Sequence, residues 1–215
     1  LNVNATTTQH SAAFLFGNES RPQDKFIYTD VGERFPGYKY SFGKSEYRGE
    51  DPGEGGYVYS EPGVYTDVAL LDVASMHPTS LIEMNYFGPF TQKYADLKQT
   101  RLYIKHGDLE SAKKMFDGIL EEFLQDPETA DALSYALKII INIVYGMTSA
   151  KFDNKFKHKR NHDNIVAKRG ALFMIDLKHE VQKRGYTVAH IKTDSIKIPN
   201  ADKKIIDFVF AYGKE

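Results

Sequence analysis

Cysteine is absent from the 215 residues. That excludes a disulfide framework and any thiolate metal or redox centre, leaving carboxylates, imidazoles and carbonyls as ligands, a set that favours hard, oxygen-seeking cations. Long apolar runs are missing too. The longest, Ile139 to Val144, is interrupted by Asn142 and preceded by Lys138, far short of the ~18 consecutive apolar residues of a membrane span, so no membrane partner is expected. The opening Leu-Asn-Val-Asn has no basic stretch leading into an apolar one, and no signal peptide is expected. Internal repeats and low-complexity segments are also lacking. Neither sign of charge is in excess: 28 Lys and Arg face 29 Asp and Glu, for a net charge of −1. Any affinity for nucleic acid must therefore come from uneven distribution of charge. What remains, 41% hydrophobic and 27% charged residues, is the composition of an ordinary globular protein. A chain of this length forms one large domain or two small ones and buries roughly 70% of its extended surface.

Residues 1–63 are rich in Gly, Pro, Tyr and acids and read as irregular structure with short strands, such as Phe26-Ile27-Tyr28 and Tyr38 to Phe42. The turn Asp51-Pro52-Gly53-Glu54-Gly55-Gly56 leads into an alternating strand, Tyr57-Val58-Tyr59. Val64 to Ala74 is nearly continuously apolar and predicts a buried strand, with Asp72 near its end. Helices are predicted from Pro78 to Phe87, from Gln92 to His106, from the Asp108 cap to Leu124, and from Asp126-Pro127-Glu128 to Tyr145. A further helix is expected from Asn164 to Arg184, then strands Thr187 to Lys192 and Ile196 to Ile198 around a tight turn, and a last helix from Asp202 to Tyr212. Between Lys151 and Arg169 seven cations, Lys151, Lys155, Lys157, Lys159, Arg160, Lys168 and Arg169, face only Asp153 and Asp163. This is the local basic patch that the overall charge conceals.

Two acids attract chemistry. Asp72 ends one predicted strand and Asp194 lies in the turn of a later hairpin, so carboxylates from different strands can meet. Two carboxylates with substrate oxygens and water suit Mg²⁺, and a pair of such ions about 3.5–4 Å apart stabilises both the attacking and leaving oxygens of an in-line phosphoryl displacement. Taken alone, each acid reads as a turn or cap residue. His158 and His162 have the spacing of a metal pair, but their polar setting and missing third ligand do not make a zinc site.

Three blocks in order change the balance. Asp72-Val73-Ala74-Ser75-Met76-His77-Pro78-Thr79-Ser80-Leu81-Ile82 resembles motif A of family B DNA polymerases, roughly DxxSLYPSII. Lys138-Ile139-Ile140-Ile141-Asn142-Ile143-Val144-Tyr145-Gly146 resembles motif B, KxxxNSxYG. His190-Ile191-Lys192-Thr193-Asp194-Ser195-Ile196 resembles motif C, YxDTDSI. The glycine-rich Gly53 to Tyr57 resembles the loop between that family's exonuclease and polymerase domains, and the small fingers are similar to phage enzymes.

The resemblance implies an α+β fold, an incomplete polymerase core. In it, an antiparallel palm sheet (residues 64–88 and 146–215) carries a helical fingers hairpin (89–145), after an N-terminal region of residues 1–63. It implies Asp72 and Asp194 as catalytic and metal-binding carboxylates with the Val73 carbonyl as a further ligand, two Mg²⁺ ions for which Mn²⁺ substitutes, and primer-template DNA and deoxynucleoside triphosphates as partners. Arg101 and Lys105, at i and i+4, would join Lys138, Asn142, Tyr145, Ser75, Met76 and His77 in binding the nucleotide. Gly55, Gly56, Lys151, Lys155, Lys157, Lys159, Arg160 and Lys192 would contact DNA. Each has a plainer reading: a solvated helix face for Arg101 and Lys105, core packing for Tyr145, a turn for the glycines, a solvated loop for the cations.

Three positions depart from the family pattern. His77 stands where Tyr normally blocks a ribose 2′-hydroxyl, Lys192 replaces the first acid of motif C, and Ile143 replaces a common Ser. Exonuclease acids and a thumb are expected to lie in missing regions of a longer polymerase, so the isolated chain is expected to polymerise poorly. If phage-derived, it would work in the cytoplasm of an infected bacterium. Two alternatives stay open: another palm-type nucleotidyltransferase, and a catalytically silent nucleic-acid-binding fragment.

Overall fold

A computed structural model describes residues 6–27, 31–161 and 163–214. The chain is mixed α and β, with two antiparallel sheets, and it divides into two compact units. The helical unit holds residues 6–27 and 81–161 of those described; the sheet unit holds 31–80 and 163–214.

The helical unit begins with α1 (Thr7–Phe16), where composition alone suggests irregular chain. Thr6 and Gln9 form a capping box, each side chain bonding the other's backbone amide, and such a box satisfies two otherwise orphaned donors. Phe16 then meets Phe26, Phe90 and Phe156 at ring separations of 5.6, 5.1 and 5.2 Å. Contacts of this kind contribute about 0.5–1.5 kcal/mol each beyond simple burial. The expected strand at Phe26-Ile27-Tyr28 does not form at Phe26 and Ile27, which follow a 3₁₀ turn at Pro22–Lys25, and Tyr28 lies outside the described residues.

In the sheet unit, α2 (Val31–Arg34) precedes a hairpin of β1 (Lys39–Ser41) and β2 (Lys44–Glu46). A four-stranded sheet follows, built from β3 (Val58–Ser60), β4 (Val68–Asp72), β5 (His190–Lys192) and β6 (Ser195–Pro199) in the order β3-β5-β6-β4. The expected buried strand from Val64 to Ala74 is corrected on two counts. β4 spans only Val68–Asp72, and it is an edge strand whose residues alternate between exposed and half-buried. Val64 is 98% exposed and Leu70 55%. Continuous apolarity implies burial on both faces; here only one face is covered.

Helix α3 (Met76–Glu83) starts in the sheet unit, and its last residues, from Leu81, belong to the helical unit. There α4 (Thr91–Lys105) packs on α6 (Pro127–Thr148), and the buried Tyr94 hydroxyl donates to the Ile141 carbonyl at 3.0 Å. Between them the expected long helix is short. α5 (Leu109–Lys114) is capped by Asp108, whose carboxylate accepts from the Ser111 amide. It gives way to 3₁₀ turns because Phe116 and Asp117 take left-handed backbone angles, φ 51° and 56°. Among the described residues α6 alone is long and apolar enough to cross a membrane by length and composition. Lys138 and Asn142 nevertheless stand exposed on it, while Leu137, Ile141 and Val144 are buried.

Helix α7 (Ile165–Lys183) supplies most of the sheet unit's core. Leu172, Met174, Ile175 and Val181 are fully buried, as are Ile191, Ile196 and Ile198 on the covered face of the sheet. The amphipathic α8 (Lys203–Tyr212) packs against α7 and is capped by Asp202, which accepts from the Ile205 amide.

Candidate metal and nucleotide site

The sheet register sets Asp72 beside the turn that carries Asp194. Asp72 pairs with Ser195, and the Val73 amide donates to the Asp194 carbonyl at 2.8 Å. Paired residues of antiparallel strands project to the same face, so Val58, Lys192, Ser195 and Asp72 form one row across all four strands. Asp72, Asp194 and Lys192 are all exposed. No cost of burying a carboxylate arises, because Asp72 shares its face with the exposed Val68 and Leu70, while Ala69 and Leu71 turn to the covered one. Lys192 stands two strands from Asp72, about 10 Å along the sheet. Among the described residues no group of three or more acids, imidazoles or thiols is close enough to hold a metal. The donor set at this spot is thus two carboxylates and backbone oxygen, which fits a hard divalent cation completed by substrate and water.

The turn carrying Asp194 is held from one side. Thr193, a β-branched residue, sits at φ 56°, a conformation that persists only where the surroundings impose it. Its amide donates to the Tyr57 carbonyl at 2.9 Å, and its side chain fills the space beside Gly56, where an added Cβ would lie 2.7 Å from Thr193 Oγ1. With φ 145° as well, position 56 requires glycine. Gly56 is thus explained within the fold, as a turn residue packed on Thr193, whereas around Gly55 an added Cβ would meet open space.

On the other side, Ser75 (φ 53°) turns the chain from Asp72 into α3. The first-turn amides of Met76 and His77 have no carbonyl four residues back within the helix. The Met76 side chain is 5% exposed and faces Gly170 of α7, where an added Cβ would lie 2.6 Å from its sulfur. With that side chain buried against α7, a nucleotide contact at Met76 would come from its backbone. Gly170→Ala overpacks this contact, and overpacking costs about 1–3 kcal/mol. A lower urea midpoint is the expected result, and an unchanged one contradicts it.

Burial pulls the His77 imidazole below its ordinary value, with the Asp194 charge pulling weakly upward. Burial does the same to His158 and His179. The unfolded chain therefore takes up protons more readily than the folded one. Stability is full above the unfolded value of about 6.5 and falls as pH drops below it. Chemical denaturation at pH 8 and pH 5.5 should show a lower midpoint at 5.5; equal midpoints contradict the assignment.

The remaining predicted residues lie in the helical unit. On α4, Lys105 is exposed and Arg101 half-buried, its Nε buried without a hydrogen-bond partner. On α6, Lys138, Asn142 and Tyr145 share one face, the first two exposed and Tyr145 half-buried. In the basic segment Lys151, Lys155, Lys159 and Arg160 are exposed and Lys157 half-buried, although Lys155 also donates to the Glu19 carbonyl at 3.3 Å. His158 Nδ1 accepts the Arg160 amide at 3.0 Å, which occupies that nitrogen, and His162 lies outside the described residues.

Lys168 leaves the basic patch. It is 3% exposed, its ammonium bonding Ser45 Oγ at 2.7 Å and the Gly53 carbonyl. Lys178, 2% exposed, bonds Glu50 and the Tyr57 hydroxyl. These two buried lysines of α7 fasten the glycine-rich loop, a role that sequence inspection missed. The one available signal was a lysine at each of two positions within an otherwise apolar helical pattern. Compared with known proteins, the chain matches no family model and no curated protein.

Proposed function

We propose that this chain is part of a DNA-directed DNA polymerase of the family B type, transferring a deoxynucleotide to a primer 3′-hydroxyl with release of pyrophosphate. The observation that supports the reading is that the Asp72–Ser195 register sets the exposed Asp72 beside the turn carrying the exposed Asp194, within three motif-like blocks in family order. When bound, a pair of Mg²⁺ ions would stabilise the attacking and leaving oxygens. Asp72, Asp194 and the Val73 carbonyl supply the oxygen donors. A triphosphate carries about four negative charges and needs several cations acting together; the resemblance would assign that task to Arg101, Lys105 and Lys138, and the base contact to Asn142 and Tyr145. Ser75 and the Met76 amide suit phosphate oxygens, and by the resemblance the His77 ring would stand against the sugar.

Because the imidazole is smaller than the phenol it replaces, His77→Tyr should strengthen discrimination against ribonucleotides at pH 7 to 8, where His77 is neutral. Because burial holds the His77 imidazole below its ordinary value, the wild-type chain should gain further pH dependence only below about pH 6.5. Equal rejection by both forms from pH 6 to 8 contradicts this role.

The exposed cations of residues 151–160, with Gly55 and Lys192, would hold the DNA backbone independently of sequence. Replacing Lys159 and Arg160 by Ala should lower duplex affinity and reduce the slope of log K against log salt by about one for each phosphate no longer neutralised. Anisotropy titrations between 50 and 200 mM salt measure it, and an unchanged slope removes these residues from the interface.

Lys192 in the row of Asp72 favours one competing reading, a nucleic-acid-binding module without catalysis. The two separate on Mn²⁺ binding: the polymerase reading requires a divalent ion at Asp72 and Asp194, and the silent module holds none.

A further inference from the structure

Lys178 has no part in the motif-like blocks, yet its ammonium is among the most deeply buried charges of the described chain, at 2% residue exposure. A charge in that position is costly unless it is paired and hydrogen-bonded. It is paired with the Glu50 carboxylate, donates to the Tyr57 hydroxyl at 2.8 Å, and lies 4.1 Å from the centre of the Tyr59 ring. The Tyr57 hydroxyl in turn donates to the other oxygen of Glu50. Three polar groups on α7, the loop and the start of β3 thus close on one another, and Tyr57 is 3% exposed.

The ring of Tyr57 faces this cluster, while its carbonyl accepts the amide of Thr193 at 2.9 Å. Thr193 precedes Asp194, is held at φ 56°, and packs on Gly56, the neighbour of Tyr57. We propose that Lys178 is a positioning residue for Asp194: through Tyr57 it fixes the backbone that holds the Thr193–Asp194 turn, and so sets where the Asp194 carboxylate stands relative to Asp72. The inference depends on the metal reading above. It adds a reason for the cluster to be ionic, since an apolar core of the same volume is often as stable or more so, whereas directed hydrogen bonds specify one position of Tyr57.

The test uses the full chain, with amide hydrogen exchange at Thr193 and Mn²⁺ titration followed by electron paramagnetic resonance. Tyr57→Phe removes the hydroxyl alone. The triple variant Lys178→Met, Glu50→Leu, Tyr57→Phe replaces the whole cluster by apolar groups and leaves no buried charge unpaired. Both variants should keep a cooperative thermal transition, exchange the Thr193 amide at least tenfold faster, and bind Mn²⁺ at least fivefold more weakly. Thr193 exchange and Mn²⁺ affinity within twofold of the unaltered chain in Tyr57→Phe would overturn the proposal, whether or not the triple variant folds. Asp194→Asn separates the two levels. If it leaves Mn²⁺ binding unchanged, the metal reading itself falls, and the positioning role with it. If it abolishes binding while the cluster variants retain it, only the positioning role is lost.

Discussion

Asp194→Asn and Asp72→Asn should each abolish tight Mn²⁺ binding, and should lower any template-directed incorporation of a single nucleotide by about a thousandfold or more. Each substitution preserves shape and removes one negative charge from a donor set that holds only two side-chain carboxylates. The size of the effect follows from what such a site does: electrostatic groups aimed at developing charge are worth roughly 10²–10³ in rate apiece, and here the lost ligand also organises the other oxygens. Both acids are exposed and neither makes a structural ion pair in the described chain, so thermal stability should change little. Single-nucleotide incorporation at high chain concentration, with melting curves in parallel, checks both halves. Loss of activity accompanied by unfolding, or retained Mn²⁺ affinity, contradicts the account.

Gly56→Val should produce the second largest effect, through a different cause. A branched side chain at φ 145° is strained in itself, and its Cβ would lie 2.7 Å from Thr193 Oγ1 and 2.9 Å from Cγ2. Strain at such a backbone position costs about 1–3 kcal/mol, and forced overpacking adds a similar amount. The turn bearing Asp194 has to move, so metal affinity should fall together with stability. Gly55→Val meets open space and should leave both nearly unchanged. Equal behaviour of the two variants in denaturation and Mn²⁺ titration would show that the Gly56–Thr193 contact does not hold the turn.

The acids and the hairpin were legible in the sequence because their signals are local. A two-residue turn between alternating strands, and an aspartate at the end of an apolar segment, are written within a few positions of each other. The same holds for α6 and α8, whose Asp126 and Asp202 caps stand in the sequence, and for the apolar period of α7, although Asn164 before α7 makes no capping bond; α6 merely runs three residues past the expected Tyr145, to Thr148. Helix α1 was equally local, its capping box spelled by Thr6 and Gln9, yet the surrounding Gly, Pro and Tyr content pointed to irregular chain. The exposure of β4 was not legible, because whether an apolar strand lies at the edge of a sheet depends on strand order, and that order is set by residues more than a hundred positions away. Lys168 shows the same limit. Within a run of cations it reads as part of a surface patch, and only the tertiary position of the Ser45 and Gly53 acceptors turns it into an internal anchor.

The most direct test of the central claim is crystallographic: crystals of the chain soaked with Mn²⁺ and a non-hydrolysable deoxynucleoside triphosphate, with data collected at the manganese edge. The account expects anomalous density between the carboxylates of Asp72 and Asp194, with triphosphate oxygens completing the coordination. Carboxylates that stand apart with no manganese between them, in crystals that bind the nucleotide elsewhere or not at all, would contradict it.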